Sequence, residues 1–293
     1  MCFPGDMRSQ RKAATMAIIT IARQMGSLGN EIATDVAQRL KYTLVDQAKL
    51  QEAAEAYGLL KSELEEVHEK RPTLVTRYLT MRHRAYLDML QTIIYSYARQ
   101  DDVVLLGRGA TVLLSDVPSA LHVNIFAPFE RRVEVVMAEE RLTRPLAEQL
   151  VRESDQDRAG YMKYLFDRDW MDPLLYDLML NTGSVTRQHA CDLIVEAAHA
   201  KELLEAHDRS LEILDHHILI RKVEEALLRA KQVNPRHISV AVTTSGVLKL
   251  SGIVNSEKEK LAAEAVVREV PGVKDVDNDL YVTIAPLDHL DFV

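Results

Sequence analysis

The chain has 293 residues, 47% of them apolar and 27% charged, with a formal net charge of −8. That length accommodates one large or two ordinary domains, and the composition supplies a core for a soluble globular protein. The negative balance argues against a general nucleic-acid surface, and no run reaches the ~18 apolar residues of a membrane span. Cys2 and Cys191 lie far apart and form no C-x-x-C pair. A disulfide framework and a thiolate zinc site are therefore not expected, and a reducing, cytoplasmic setting fits.

Residues 1–15 are read as an N-terminal arm. Arg8, Arg11 and Lys12 before Ala13 to Ala22 have the outline of a short signal peptide. The apolar run feeds straight into a glycine loop without a small-residue cleavage context, so it is expected to be the first strand instead. The stretch from Ala17 to Ala33 then has the layout of a phosphate-binding loop: buried strand, glycine-bearing turn, helix. Free N–H groups at such a helix start face an anion. Against G-x-x-x-x-G-K-[ST], Gly29 is the second glycine, Gln24 stands at the first, Asn30 at the lysine and Glu31 at the hydroxyl. The candidate cradle is thus Gly26, Ser27, Leu28, Gly29, Asn30 and Glu31.

Ile32, Ala33, Val36, Ala37 and Leu40 recur at helical spacing, and Tyr42 to Asp46 reads as a second strand ending in a carboxylate. Residues 47–100 predict a helical arm broken at Gly58 and at Arg71-Pro72, with an apolar stripe from Leu74 to Tyr97. Val103 to Gly107 is an apolar run expected of a doubly buried strand, ending in Gly107-Arg108-Gly109. Leu121 to Phe126 predicts a strand, Pro145 to Asp167 a long charged helix, Tyr176 to Asn181 a strand, and Thr186 opens a helix. A polar stretch at 203–212 is expected to link a first domain (16–202) to a second (213–287), with 288–293 as a tail. The second predicts helix His217–Lys231, strands Ile238–Thr243 and Val247–Ser251, helix Ser256–Val270 and strand Asp279–Ile284, with Ser256 and Glu259 as a capping box. The fold class is therefore α/β, a parallel doubly wound sheet with a helical arm, followed by a small α+β unit of αββαβ order.

Ligands of such sheets bind outside the strands' carboxyl ends, where Arg23, Asp46 and Arg108 all fall. Phosphoryl transfer requires phosphate oxygens held in line and positive charge where negative charge builds up. Arg23 is expected to reach into the loop in place of the missing lysine, or else to pair with a neighbouring carboxylate. Arg108, between two glycines, is the second candidate. Arg132, Arg158 and Lys163 lie on helical segments that charged residues ordinarily solvate. Asp155 and Asp157, His189 and Cys191 are each two residues apart on helices and do not converge, and Trp170 reads as packing.

The segments Ile21 to Ala33, Tyr42 to Asp46, Leu106 to Ala110 and Asp169 to Thr182 together resemble the cytidylate kinase-like family, relatives of P-loop nucleoside monophosphate kinases. The resemblance implies an ATP-dependent transfer to a (d)CMP-type acceptor with ATP and Mg²⁺, and Arg108 and Arg158 as catalytic residues; Arg23 joins them as the expected substitute for the missing lysine, and no metal-ligating residue is assigned. The resemblance also implies Asp46 and Arg108 as acceptor-binding, and places the 152–163 segment as the lid. Gly109 stands where cytidylate kinases carry an aspartate. The other reading is a nucleotide-binding regulatory protein that turns over weakly or not at all. Val247 to Val254 and Ala262 to Asp279 resemble a BON domain, which implies a small ligand, a protein or a phospholipid surface as partner.

Overall fold

A computed structural model describes residues 17–56, 80–243 and 246–283, with side chains except those of 80–85. The expected N-terminal arm and C-terminal tail, the breaks at Gly58 and Arg71-Pro72, and stripe residues Leu74 and Tyr78 lie outside the described residues. The chain divides into two units, 1–211 and 212–293.

The first unit is built on a five-stranded parallel sheet of order β2-β3-β1-β4-β5. Its strands are β1 (Ile18–Arg23), β2 (Thr43–Val45), β3 (Val103–Leu106), β4 (Ala120–Phe126) and β5 (Leu178–Asn181). Its helices are α1 (Gly29–Leu40), α2 (Gln47–Ala56), α3 (Thr80–Arg99), α4 (Ala110–Leu113), α5 (Phe129–Glu140), α6 (Arg144–Phe166), α7 (Arg187–Ala198) and α8 (Lys201–Glu205). The apolar runs behave as expected of strands covered on both faces, since β3 is buried at every residue. One face packs Ile19, Ile21, Val104 and Val123 against Ile32 and Val36 of α1 and Ile194 of α7. The opposite face of β1 and β4 carries polar residues, Thr20, His122 and Asn124, all buried. The chain leaves β1 toward β2 at one edge and β4 toward β5 at the other. A crevice therefore opens at the carboxyl ends of the central strands.

Helix α9 (His207–Arg229) begins ten residues before the expected His217, and the division between the units falls within it. The segment expected as a linker is thus helical, which its polar composition concealed. Within the first unit α9 is tied down by Ser210, whose Oγ accepts the N–H of Ser119 at 2.9 Å, and by His207 Nε2, 3.6 Å from Asp101. No helix among the described residues is long and apolar enough to cross a membrane.

The second unit has strands β6 (Ile238–Val242), β7 (Leu248–Val254) and β8 (Val276–Val282), with β6 antiparallel and β8 parallel to β7. Helix α10 (Glu257–Arg268) connects β7 to β8, and its Ala263 and Val267 join Val223 and Leu227 of α9 over Leu250 and Leu280. This is the αββαβ order. The capping box is half formed: Ser256 Oγ accepts the Glu259 N–H at 3.2 Å. The Glu259 carboxylate instead takes the N–H groups of Asn255 (2.9 Å) and Asn234 (2.7 Å), joining the helix start to the preceding loop.

Candidate functional site

The loop after β1 is held from below. Gln24 N–H donates to the Ile125 carbonyl at 3.0 Å, and the Gln24 side chain accepts the Ala127 N–H at 3.2 Å. Ser27, fully buried, donates its hydroxyl to the carbonyls of Gln24 (2.8 Å) and Ile125 (3.1 Å). Thr182, just past β5, donates to the Ser27 carbonyl at 2.9 Å. Gly26 (φ 74°) and Leu28 (φ 61°) turn the chain in the left-handed region, and Leu28 heads α1 without a side-chain cap. The first N–H groups of α1 therefore have no side chain from the N-cap to accept them, the arrangement that favours an anion.

Arg23 crosses this helix start. A Cβ on Gly29 would lie 2.4 Å from Arg23 Cβ and 2.8 Å from its Cγ, so the glycine leaves room for the arginine stem to pass. Arg23 Nε donates to Asn30 Oδ1 at 3.0 Å. The residue at the lysine position thus holds the strand-end arginine. Glu31, at the hydroxyl position, turns away toward Glu139 of α5; burial first, and then the Glu31 carboxylate, push the Glu139 carboxyl above its ordinary range.

Gly107, Arg108 and Gly109 all adopt positive φ (76°, 57° and 71°). A Cβ on Gly109 would stand 2.2 Å from Cε2 of Phe166, the last residue of α6. Arg108 is buried and donates from Nη1 to the Tyr86 hydroxyl at 3.2 Å. Arg158 on α6 bonds Ser154 one turn back.

These three arginines line one cleft of about 410 Å³ at the strand carboxyl ends, with Thr111 beside them. Tyr161, Trp170 and Tyr176 form its wall, and no carboxylate among the described residues lines it. The Tyr176 hydroxyl donates to the Trp170 carbonyl at 2.6 Å, and burial pushes its pKa upward. Arg108 also borders a second cavity of about 390 Å³ between α2 and α3, lined by Gln47, Gln51, Tyr86 and the apolar Leu50, Met89 and Ile93. Asp46 lines neither cavity: its carboxylate caps α2 by accepting the Lys49 N–H at 3.0 Å. Lys163 pairs with Asp167 on the exposed side of α6.

Arg132 is the residue sequence reasoning undervalued. Its side chain is 5% exposed and grips Asp155 of α6 with two bonds, 3.0 and 2.8 Å, while Nε donates to the Ala127 carbonyl. Nη1 reaches the Met25 carbonyl, and the Arg132 main-chain oxygen would lie 2.5 Å from a Cβ on Gly26. Arg132 thus clasps the loop to α6. An arginine in a charged helix start carries no local sign of this; its partner is 23 residues on.

The residues present fit phosphate groups: N–H groups without a side-chain cap, three arginines and, among the described residues, no lining carboxylate. Among the described residues there is no group of three or more His, Cys, Asp or Glu side chains that could hold a metal ion.

An uncharacterized protein from Eubacterium ventriosum, 22% identical, superposes with a TM-score of 0.50 over 63% of this chain and 99% of that chain, a likeness of fold. A uronate isomerase from Corynebacterium glutamicum is 34% identical over 99 residues, and the osmotically-inducible protein Y of Escherichia coli 42% identical over 59. The matches span 34% and 20% of this chain, and only 19% and 29% of those relatives' lengths. A BON domain matches residues 215–283. The cytidylate kinase-like family model matches residues 18–184, from β1 through β5 to the loop beyond it. The chain therefore belongs to the cytidylate kinase-like family, with a BON domain following the kinase-like unit.

Proposed function

We propose that the first unit is a nucleotide phosphotransferase that uses ATP and passes a phosphoryl group to a (d)CMP-type acceptor. The observation that carries this reading is Arg108, which borders both cavities and so can hold phosphate at the junction of two ligands. In this reading Arg23 and the first N–H groups of α1 bind the donor's phosphates, Asn30 fixing the arginine in place of a lysine. Arg108 and Arg158 neutralise charge on the transferred group, a task for which guanidinium forks suit phosphate oxygens. The cavity between α2 and α3 accommodates the acceptor's base, with Gln47 and Gln51 as amide partners; Asp46, which caps α2 one residue before Gln47, belongs to the same acceptor proposal. No step is assigned to a metal.

A second reading, a nucleotide-binding regulator with little turnover, is favoured by the occupants of the motif. Neither Asn30 nor Glu31 supplies the cation or hydroxyl of the phosphate-loop template. Loss of one transition-state donor typically costs ~10²–10³ in rate. A coupled ADP-release assay across the nucleoside monophosphates separates the two. Turnover with CMP or dCMP that falls at least ~10²-fold in Arg23→Ala and Arg108→Ala supports the first. Nucleotide binding without turnover supports the second. The partner of the BON domain, whether a small ligand, a protein or a phospholipid surface, belongs to the same proposal, as does a cytoplasmic location.

A further inference from the structure

The apolar stripe of α3 carries one polar tip. Tyr86, Leu90 and Ile93 follow one another at four and three residues on one helical face, and all three are buried. Leu90 and Ile93 end in hydrocarbon, whereas Tyr86 ends in a hydroxyl that meets Nη1 of Arg108 at 3.2 Å. These three side chains and Arg108 line the cavity between α2 and α3. Arg108 is the one cation among the described residues that lines it.

The direction of the Tyr86–Arg108 bond is fixed by chemistry. A guanidinium has N–H groups and nothing to accept with, so the phenol oxygen is the acceptor. The hydroxyl keeps its own hydrogen, and no acceptor among the described residues takes it. Tyr86 is 8% exposed, and a buried donor left unused carries a desolvation cost. The guanidinium bonded to the phenol oxygen polarises the hydroxyl and makes it a better donor. An anionic oxygen bound by Arg108 on the cavity side sits beside that donor. The rest of the wall sharpens the need for it. A phosphate pressed against Leu50, Met89, Leu90 and Ile93 gives up water, and each oxygen left without a donor is costly.

We propose that Tyr86 is a binding residue for the acceptor's phosphate, donating its hydroxyl hydrogen to a phosphate oxygen that Arg108 also holds. This rests on the acceptor binding in the cavity between α2 and α3, with Arg108 shared between the two ligands. It adds a neutral donor on the acceptor side alone. Tyr86 lines this cavity and is absent from the lining of the three-arginine cleft, whereas Arg108 borders both. Arg108 therefore serves two phosphate groups and Tyr86 serves one.

Calorimetric titration of the full chain with CMP, cytidine and ATP tests this. Tyr86→Phe removes one oxygen and keeps the ring. It should weaken CMP at least about tenfold, as for losing a hydrogen bond to a charged group, and leave ATP unchanged. The unchanged ATP affinity also reports that the variant is folded. Cytidine, which lacks the phosphate, should respond identically in the wild type and Tyr86→Phe. Arg108→Ala should weaken both CMP and ATP, which sets it apart from Tyr86→Phe. Equal losses for CMP and ATP in Tyr86→Phe would make Tyr86 a prop for Arg108 and overturn the proposal alone. Unchanged CMP, or a loss for cytidine as large as that for CMP, overturns it alone as well. Wild-type protein that binds no CMP overturns the acceptor reading and this proposal with it.

Discussion

Placing an alanine at Gly109 tests how Arg108 is held. Gly109 has φ 71°, where an L-residue loses about 1–2 kcal/mol. Its Cβ would also stand 2.2 and 2.5 Å from two ring atoms of Phe166, an overlap of the kind that costs about 1–3 kcal/mol to relieve. Gly109→Ala should therefore destabilise the first unit by about 2–5 kcal/mol. In a Phe166→Ala background only the backbone part remains, about 1–2 kcal/mol, leaving a coupling of about 1–3 kcal/mol. Urea unfolding followed by tryptophan fluorescence reads this cleanly, because Trp170 is the single tryptophan of the chain and is buried in the cleft wall. Equal costs in the two backgrounds, within about 0.5 kcal/mol, would refute the packing of Gly109 on the end of α6.

Asp155→Ala strands the buried Arg132 guanidinium and should cost about 3 kcal/mol in the same assay, with Asp155→Asn milder. Ser27→Ala removes a hydroxyl that serves two carbonyls which keep N–H partners, so about 1 kcal/mol is expected. His122 gives a pH signature. Its folded pKa lies below the unfolded value near 6.5, so its contribution is complete above that value and is lost as pH falls through it. Between roughly pH 7 and 5 the wild type should therefore lose stability more steeply than His122→Asn. Asp101, whose carboxyl burial pushes upward, is common to both proteins and cancels in the difference.

Much of the first unit was legible because parallel buried strands read as apolar runs, and β1, β3 and β4 announce themselves that way. The loop was legible through its glycines, and Arg23 through its spacing to Gly26. Other features depend on pairings that sequence distance hides. Asp46 at a strand end reads as an acceptor ligand, while its part as the cap of α2, accepting the N–H three residues on, has no separate sign in the sequence. Arg132 and Asp155 sit on separate helices, each ordinary alone. The start of α9 reads as a solvated stretch because its two tethering residues, His207 and Ser210, are polar and face polar partners. Trp170 was expected to pack, and it does, but in the wall of the cleft.

The most direct measurement is titration of ATP and of CMP into the protein and its Arg23→Ala, Arg108→Ala and Arg158→Ala variants. The account predicts that Arg23→Ala weakens ATP at least about tenfold and spares CMP, that Arg108→Ala weakens both, and that Arg158→Ala weakens ATP, each as expected for losing one charge-assisted bond. Unchanged affinity in all three variants would contradict the site itself.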